Sequence, residues 1–176
     1  MHIIVPADSD IRSIADLKGH ELTLTEPGSN SGYKAPLILL RSRHGLEPER
    51  DFTLRFSGGH AESIRGIADK TYQAAAVAGD LLKRAVAQGT IKQSDYRSIF
   101  DSEAFPTACF GYVHTLKPEL ATKVREALNS FDWKGTGMEK EFASSEQARF
   151  VPANFKDDWA LVRQIDDATG AAYKID

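Results

Sequence analysis

Two short clusters in this chain carry the residue types that hold an anion. The first is Ser29-Asn30-Ser31-Gly32, and the second is Gly58-Gly59-His60. Hydroxyl and amide side chains beside a helix start add donors to backbone N–H groups that have no intrahelical partner and carry partial positive charge. The same residues also serve as ordinary helix caps, which are far commoner than anion sites. His60 reads in two ways as well, as an N–H donor to an anion or as a solvated side chain at a helix start. A nucleophile elbow is excluded, because it needs Gly-x-Ser-x-Gly and Gly28-Ser29-Asn30-Ser31-Gly32 has Asn at its centre. His60 has no carboxylate or nucleophile at motif spacing, and no cluster has metal-ligand spacing.

The surrounding pattern shows what must position these clusters. Leu22 and Leu24 alternate with Thr23 and Thr25, the period of a half-buried strand, and Pro27-Gly28 breaks it before a helix that runs to about Gly45 with Leu37, Ile38 and Leu40 inward. Phe52, Leu54 and Phe56 repeat the alternation, and Ser57-Gly58-Gly59-His60 leads into a helix with Ile64 and Ile67 on one face. Two successive strand-turn-helix units each deliver polar groups to a helix start. In open α/β sheets that edge, at the carboxyl ends of the strands, is where ligands sit.

Further strands are expected at 2–6, 73–78, 96–102 and 108–114, with Asp80 as the N-cap of a helix after the third of the central strands. Beyond His114 the pattern turns helical: Leu120, Val124, Leu128 and Phe131 share one face behind Pro118, and a last helix carries Trp159, Val162 and Ile165. The alternation of strand and helix implies an α/β fold with a mixed, mostly parallel sheet covered on both faces. Trp133 and Trp159 read as packing residues, and the single Cys109 as a small core residue. The strand that begins almost at the first residue suggests that the chain opens partway through a larger fold.

Composition removes several function classes. The 176 residues are 41% hydrophobic with a net charge of −3, which leaves no basic field for nucleic acid and no polybasic patch for a membrane surface. No apolar run approaches the roughly 20 residues of a membrane span. The lone cysteine permits neither an internal disulfide nor a thiol-based metal motif. Nothing calls for a cofactor.

Taken together, the segments Ile14-Ala15-Asp16-Leu17-Lys18-Gly19, Glu26-Pro27-Gly28-Ser29-Asn30-Ser31-Gly32-Tyr33, Gly58-Gly59-His60, Gln73 to Val77, Ile99 to Pro106, Phe150-Val151-Pro152 and Lys156-Asp157-Asp158-Trp159 resemble the substrate-binding proteins of phosphonate and phosphite ABC transporters. The Ser-x-Ser-Gly turn is the most specific of them. The resemblance implies a type II periplasmic-binding-protein architecture, with a three-layer lobe and C-terminal helices from the other lobe. It divides the chain into a crossover strand at 1–8, ligand-binding lobe two at 9–103, a return crossover strand at 104–114 and lobe-one helices at 115–176. It also implies that the rest of the first lobe lies outside this sequence.

By the same resemblance, Ser29, Asn30, Ser31 and Gly32 hold the oxyanion and His60 assists, with Tyr33 and Thr107 as weaker candidates. No catalysis is implied. The expected partners are a phosphonate, phosphite or phosphate ligand, an ABC transporter permease and the missing N-terminal lobe, in the periplasm or another extracytoplasmic space. Relatives that take aminoalkyl-phosphonates place an acidic residue just after the Ile-Pro turn. Pro106-Thr107-Ala108-Cys109-Phe110 has none, and a buried ammonium without a partner is costly, which favours phosphite, phosphate or a short alkyl-phosphonate. The alternatives are an oxyanion-sensing domain of a regulator, which uses the same fold, and an enzyme acting on a phosphorylated small molecule.

Overall fold

The computed structural model describes residues 1–105, 109–143, 148–154 and 156–169. Five strands form one sheet in the order β3-β2-β4-β1-β5: β1 is His2–Pro6, β2 Glu21–Leu24, β3 Thr53–Phe56, β4 Ala74–Val77 and β5 Tyr96–Asp101. β2 runs parallel to both β3 and β4, while β1 lies antiparallel between β4 and β5. The sheet is therefore mixed and open, with β2, β3, β4 and β5 pointing one way and β1 the other. Past His2, β1 is apolar, and it and the all-small β4 read as continuous runs because both of their faces are covered.

Each face of the sheet has its own apolar layer. On one side Ile3, Val5, Leu22, Leu24, Ala74 and Ala76 pack with Leu39 and Leu40 of α1 (Ala35–His44). On the other, Ile4, Ala75 and Val77 pack with Ile64 and Ile67 of α2 (His60–Ala68) and with Leu82 and Ala85 of α3 (Gly79–Ala87). Period-two alternation along the strands sorts the residues between the two layers. The inward pair of α1 is Leu39 and Leu40, whereas Leu37 and Ile38 are only half-buried, so the expected face is rotated from Leu37-Ile38-Leu40. A π-helical turn, Asn30–Lys34, precedes α1.

The chain divides into two compact units, Met1–Phe105 with the chain from Leu161 on, and Pro106–Ala160. In the first, Leu161 of α6 (Ala160–Thr169) packs against the α1-side layer and Val162 is buried. In the second, α4 (Pro118–Ser130) and α5 (Gly137–Phe142) accompany an aromatic cluster centred on Trp133, whose ring lies 5.2 Å from both Phe142 and Phe150. Trp133 is a packing residue, as its sequence context implied.

Two expectations fail in this second unit. The strand anticipated over 104–114 is absent among its described residues: 109–113 have no sheet partner, and Phe110 is 77% exposed. An alternating apolar segment becomes a strand only where a neighbour accepts and donates its ladder of hydrogen bonds. Cys109, read as a core residue, is exposed for the same reason.

Candidate functional site

The carboxyl ends of β2, β3 and β4 bring three turns together. After β2 the chain passes through Glu26-Pro27-Gly28 and enters the π-helical turn at Ser29, whose Oγ accepts a 3.0 Å hydrogen bond from the N–H of Gly32. Ser29 is thus a helix cap. The N–H groups of Asn30 and Ser31 open the helical run, where no earlier turn supplies acceptors.

The turn is bound tightly to its strand. The N–H of Thr25 donates to the Gly32 carbonyl at 3.0 Å, and a Cβ on Gly32 would stand 2.1 Å from Thr25 Oγ1. Only glycine lets the turn approach β2 this closely. Thr25 and Thr23 are buried, with hydroxyls that find no hydrogen-bond partner among the described residues.

The β3–α2 turn is tied to the same strand end. The N–H of Ser57 donates to Leu24 O and that of Gly58 to Thr25 O, each at 2.9 Å. Gly58 turns the chain at φ 91°, a conformation that L side chains rarely adopt. Ser57 and Ser63 hydroxyls share a 2.7 Å bond that holds the first turn of α2. These ties set His60, the first residue of α2, against Ser31: Nε2 lies 3.3 Å from Ser31 Oγ. The other ring nitrogen, Nδ1, accepts from the N–H of Ala78 at 3.2 Å, at the end of β4.

That second bond fixes the tautomer. A backbone N–H only donates, so Nδ1 is unprotonated and Nε2 carries the hydrogen. Nε2–H then donates to Ser31 Oγ. Burial holds the His60 pKa below its ordinary value, against the opposing charges of Asp80 and Glu26. A Ser–His pair at this distance is the geometry of an activated nucleophile, but a base must accept the hydroxyl proton at Nε2. Here Nε2 is already occupied, so the pair is set up to present donors rather than to generate an alkoxide.

Of the residues singled out in the sequence, the fold brings Ser29, Asn30, Ser31, Gly32 and His60 to one edge. Tyr33 follows Gly32 in the same turn, its ring 5.6 Å from that of Phe56 at the end of β3. Thr107 lies outside the described residues. Sequence reasoning missed the Ala78 amide, because a backbone group leaves no trace in residue type, and it missed Thr25 beneath Gly32. It also read Asp80 as an N-cap. Ala78 holds that position, and Asp80 stands in the first turn of α3, where with Glu26 it acts electrostatically on His60. Among the described residues no group of His, Cys, Asp and Glu has metal-site geometry.

The family model described as the periplasmic substrate-binding protein of phosphonate ABC transporters matches residues 1–159. The chain belongs to this phosphonate-binding family. Its family is thus one of transport proteins of the periplasm, and no helix among the described residues is long and apolar enough to cross a membrane.

Solved members share the fold. PhnD1 from Prochlorococcus marinus in complex with methylphosphonate superposes with a TM-score of 0.73 at 16% identity, over 97% of this chain and 66% of that one. A binding-protein component of an ABC phosphonate transporter from Pseudomonas aeruginosa gives 0.70 at 20% identity, over 98% and 60%. The tetrathionate sensor histidine kinase TtrS of Salmonella typhimurium is 28% identical over 148 residues, 74% of this chain and 25% of the kinase. The chain therefore spans less than two thirds of the length of these relatives.

Proposed function

We propose that this chain carries the oxyanion-holding part of a non-catalytic substrate-binding protein that captures phosphonate, phosphite or phosphate and hands it to an ABC permease. The observation that carries this reading is the junction of Ser31 with His60 beside an open helical N-terminus. Hydroxyl, imidazole N–H and backbone N–H donors converge there with no base free to activate a nucleophile. In the same reading, 9–103 form one ligand-binding lobe, and an N-terminal lobe supplies the opposite wall of a cleft that closes on the ligand. Residues 1–8 and 104–114 are the crossovers and 115–160 contribute to the first lobe, while Leu161 and Val162 of α6 belong with 1–105.

The sequence argument against an ammonium-bearing ligand rested on the turn after Pro106. Glu26 and Asp80 supply carboxylates from other elements, so an aminoalkyl-phosphonate belongs among the ligands tried. Heteronuclear NMR titration with phosphate, phosphite, methylphosphonate and 2-aminoethylphosphonate tests the proposal. Shifts centred on Ser29–Tyr33 and His60 support it, and their ranking names the ligand class. A well-dispersed spectrum that responds to none of the four refutes it for this chain.

The likeness to a tetrathionate sensor kinase favours a second reading, an oxyanion-sensing domain. Adding tetrathionate to the titration separates the two. Shifts at the same residues with tetrathionate and none with the phosphorus anions would replace transport by sensing.

A further inference from the structure

We infer that His60 is a positioning residue, acting on the bound oxyanion through the Ser31 hydroxyl, and that the amide of Ala78 sets the direction of this relay. The inference rests on the oxyanion reading and deepens it.

The argument runs through one chain of hydrogen bonds. Ala78 is buried, and its N–H donates to Nδ1 at 3.2 Å. Nδ1 therefore cannot bear a hydrogen without setting two donors face to face, which disfavours the imidazolium along with the Nδ1–H tautomer. Nε2–H points at Ser31 Oγ, 3.3 Å away, and occupies one of its lone pairs. With that hydroxyl accepting from His60, its own hydrogen is left for the ligand. The hydroxyl becomes a donor of fixed sense.

A free serine hydroxyl rotates to suit its surroundings, and one that must first turn around to meet an anion loses part of what the bond contributes. The polarity matters for selection as well. With its hydrogen left for the ligand, the Ser31 hydroxyl is met by a ligand atom that accepts, not one that donates. The charged groups around His60 are Asp80 from α3 and Glu26 from the turn after β2, both acidic. They would stabilise an imidazolium, and the Ala78 amide together with burial opposes them. Charge on the histidine is thereby kept out of the site, and selection falls to hydrogen-bond direction.

Two measurements on the full chain test this. Long-range nitrogen–proton correlation spectra of the ligand-free protein at pH 7 should show His60 with a protonated Nε2 and an unprotonated Nδ1. A protonated Nδ1 overturns the relay whatever the protein binds.

The second is a double-mutant cycle read by calorimetric affinity for methylphosphonate. Ser31→Ala should weaken binding by about ten- to a hundredfold, the loss of one hydrogen bond to a charged group. His60→Asn keeps an acceptor for Ala78 but falls short of Ser31, and should weaken binding several-fold. His60→Gln, which restores an N–H near the Nε2 position, should recover much of that loss. In the Ser31→Ala background, His60→Asn should change affinity by less than about twofold. An undiminished loss there means His60 touches the ligand itself and overturns the positioning role. Failure of the wild-type chain to bind any phosphorus oxyanion, with the Nε2–H tautomer in place, overturns the oxyanion reading and with it the relay's purpose.

Discussion

Replacing Gly32 by Ala probes the contact on which the site is built. The added methyl would lie 2.1 Å from Thr25 Oγ1, 2.5 Å from Thr25 Cγ2 and 2.8 Å from Thr25 Cβ. Rotating χ1 moves the first two atoms but not Cβ, and a β-branched side chain has few staggered alternatives. The turn must therefore lift away from β2, stretching the bond from Thr25 N–H to the Gly32 carbonyl. Overpacking of this kind costs about 1–3 kcal/mol. For a chain of this size each kcal/mol lowers Tm by about 2–4 °C, so a fall of roughly 2–12 °C is expected by thermal denaturation. Thr25→Ala by itself removes a buried hydroxyl that has no partner among the described residues and should change stability by less than about 1 kcal/mol. Combined with Gly32→Ala it removes two of the three close atoms and should recover part of the loss. A Gly32→Ala protein that melts with the wild type, or a double variant no better than the single one, refutes the claim that close approach to Thr25 is what requires glycine.

Other outcomes follow from the same geometry. Ser29→Ala removes the cap on the Gly32 N–H and should cost about 1 kcal/mol in urea denaturation, an effect absent if Ser29 faces only the ligand. Stability should fall on acidification in two windows. Below pH 6.5, the ordinary His60 value, the unfolded chain takes up a proton that folded His60 refuses until its lower pKa is reached. Below about pH 4, the unfolded carboxylates protonate before those of Asp8, Asp16, Asp51 and Glu103, which are held low by hydrogen bonds from Lys70, from Ser13, from the Glu47 amide and from Arg43. Loss of the upper window, and only that one, in His60→Gln checks the assignment. Cys109 is exposed and should react with a maleimide in the native chain as fast as in urea. Protection would return it to a packed environment.

Much of this protein is written locally. The alternation of Leu22 and Leu24 with Thr23 and Thr25, the break at Pro27-Gly28 and the apolar faces of the helices near Ile64 and Leu82 depend on neighbours in sequence, and they yield the strand–turn–helix order directly. So does the hydroxyl cluster at a helix start, since capping and anion binding both use unpaired N–H groups within one turn.

Tertiary structure decided everything that crosses between elements. The order β3-β2-β4 sets His60 between Ser31 and Ala78, residues that no spacing rule connects. The proton on His60 is assigned by a main-chain amide, a group every residue but proline has, and therefore one the sequence cannot advertise. Gly32 reads as a loop residue until Thr25 is found beneath it. Phe110 and Cys109 read as a strand, but among the described residues no strand lies beside them to complete the ladder. Hydrogen-bond direction, close approach and sheet pairing are properties of pairs brought together by the fold, and residue type fixes only one member of each pair.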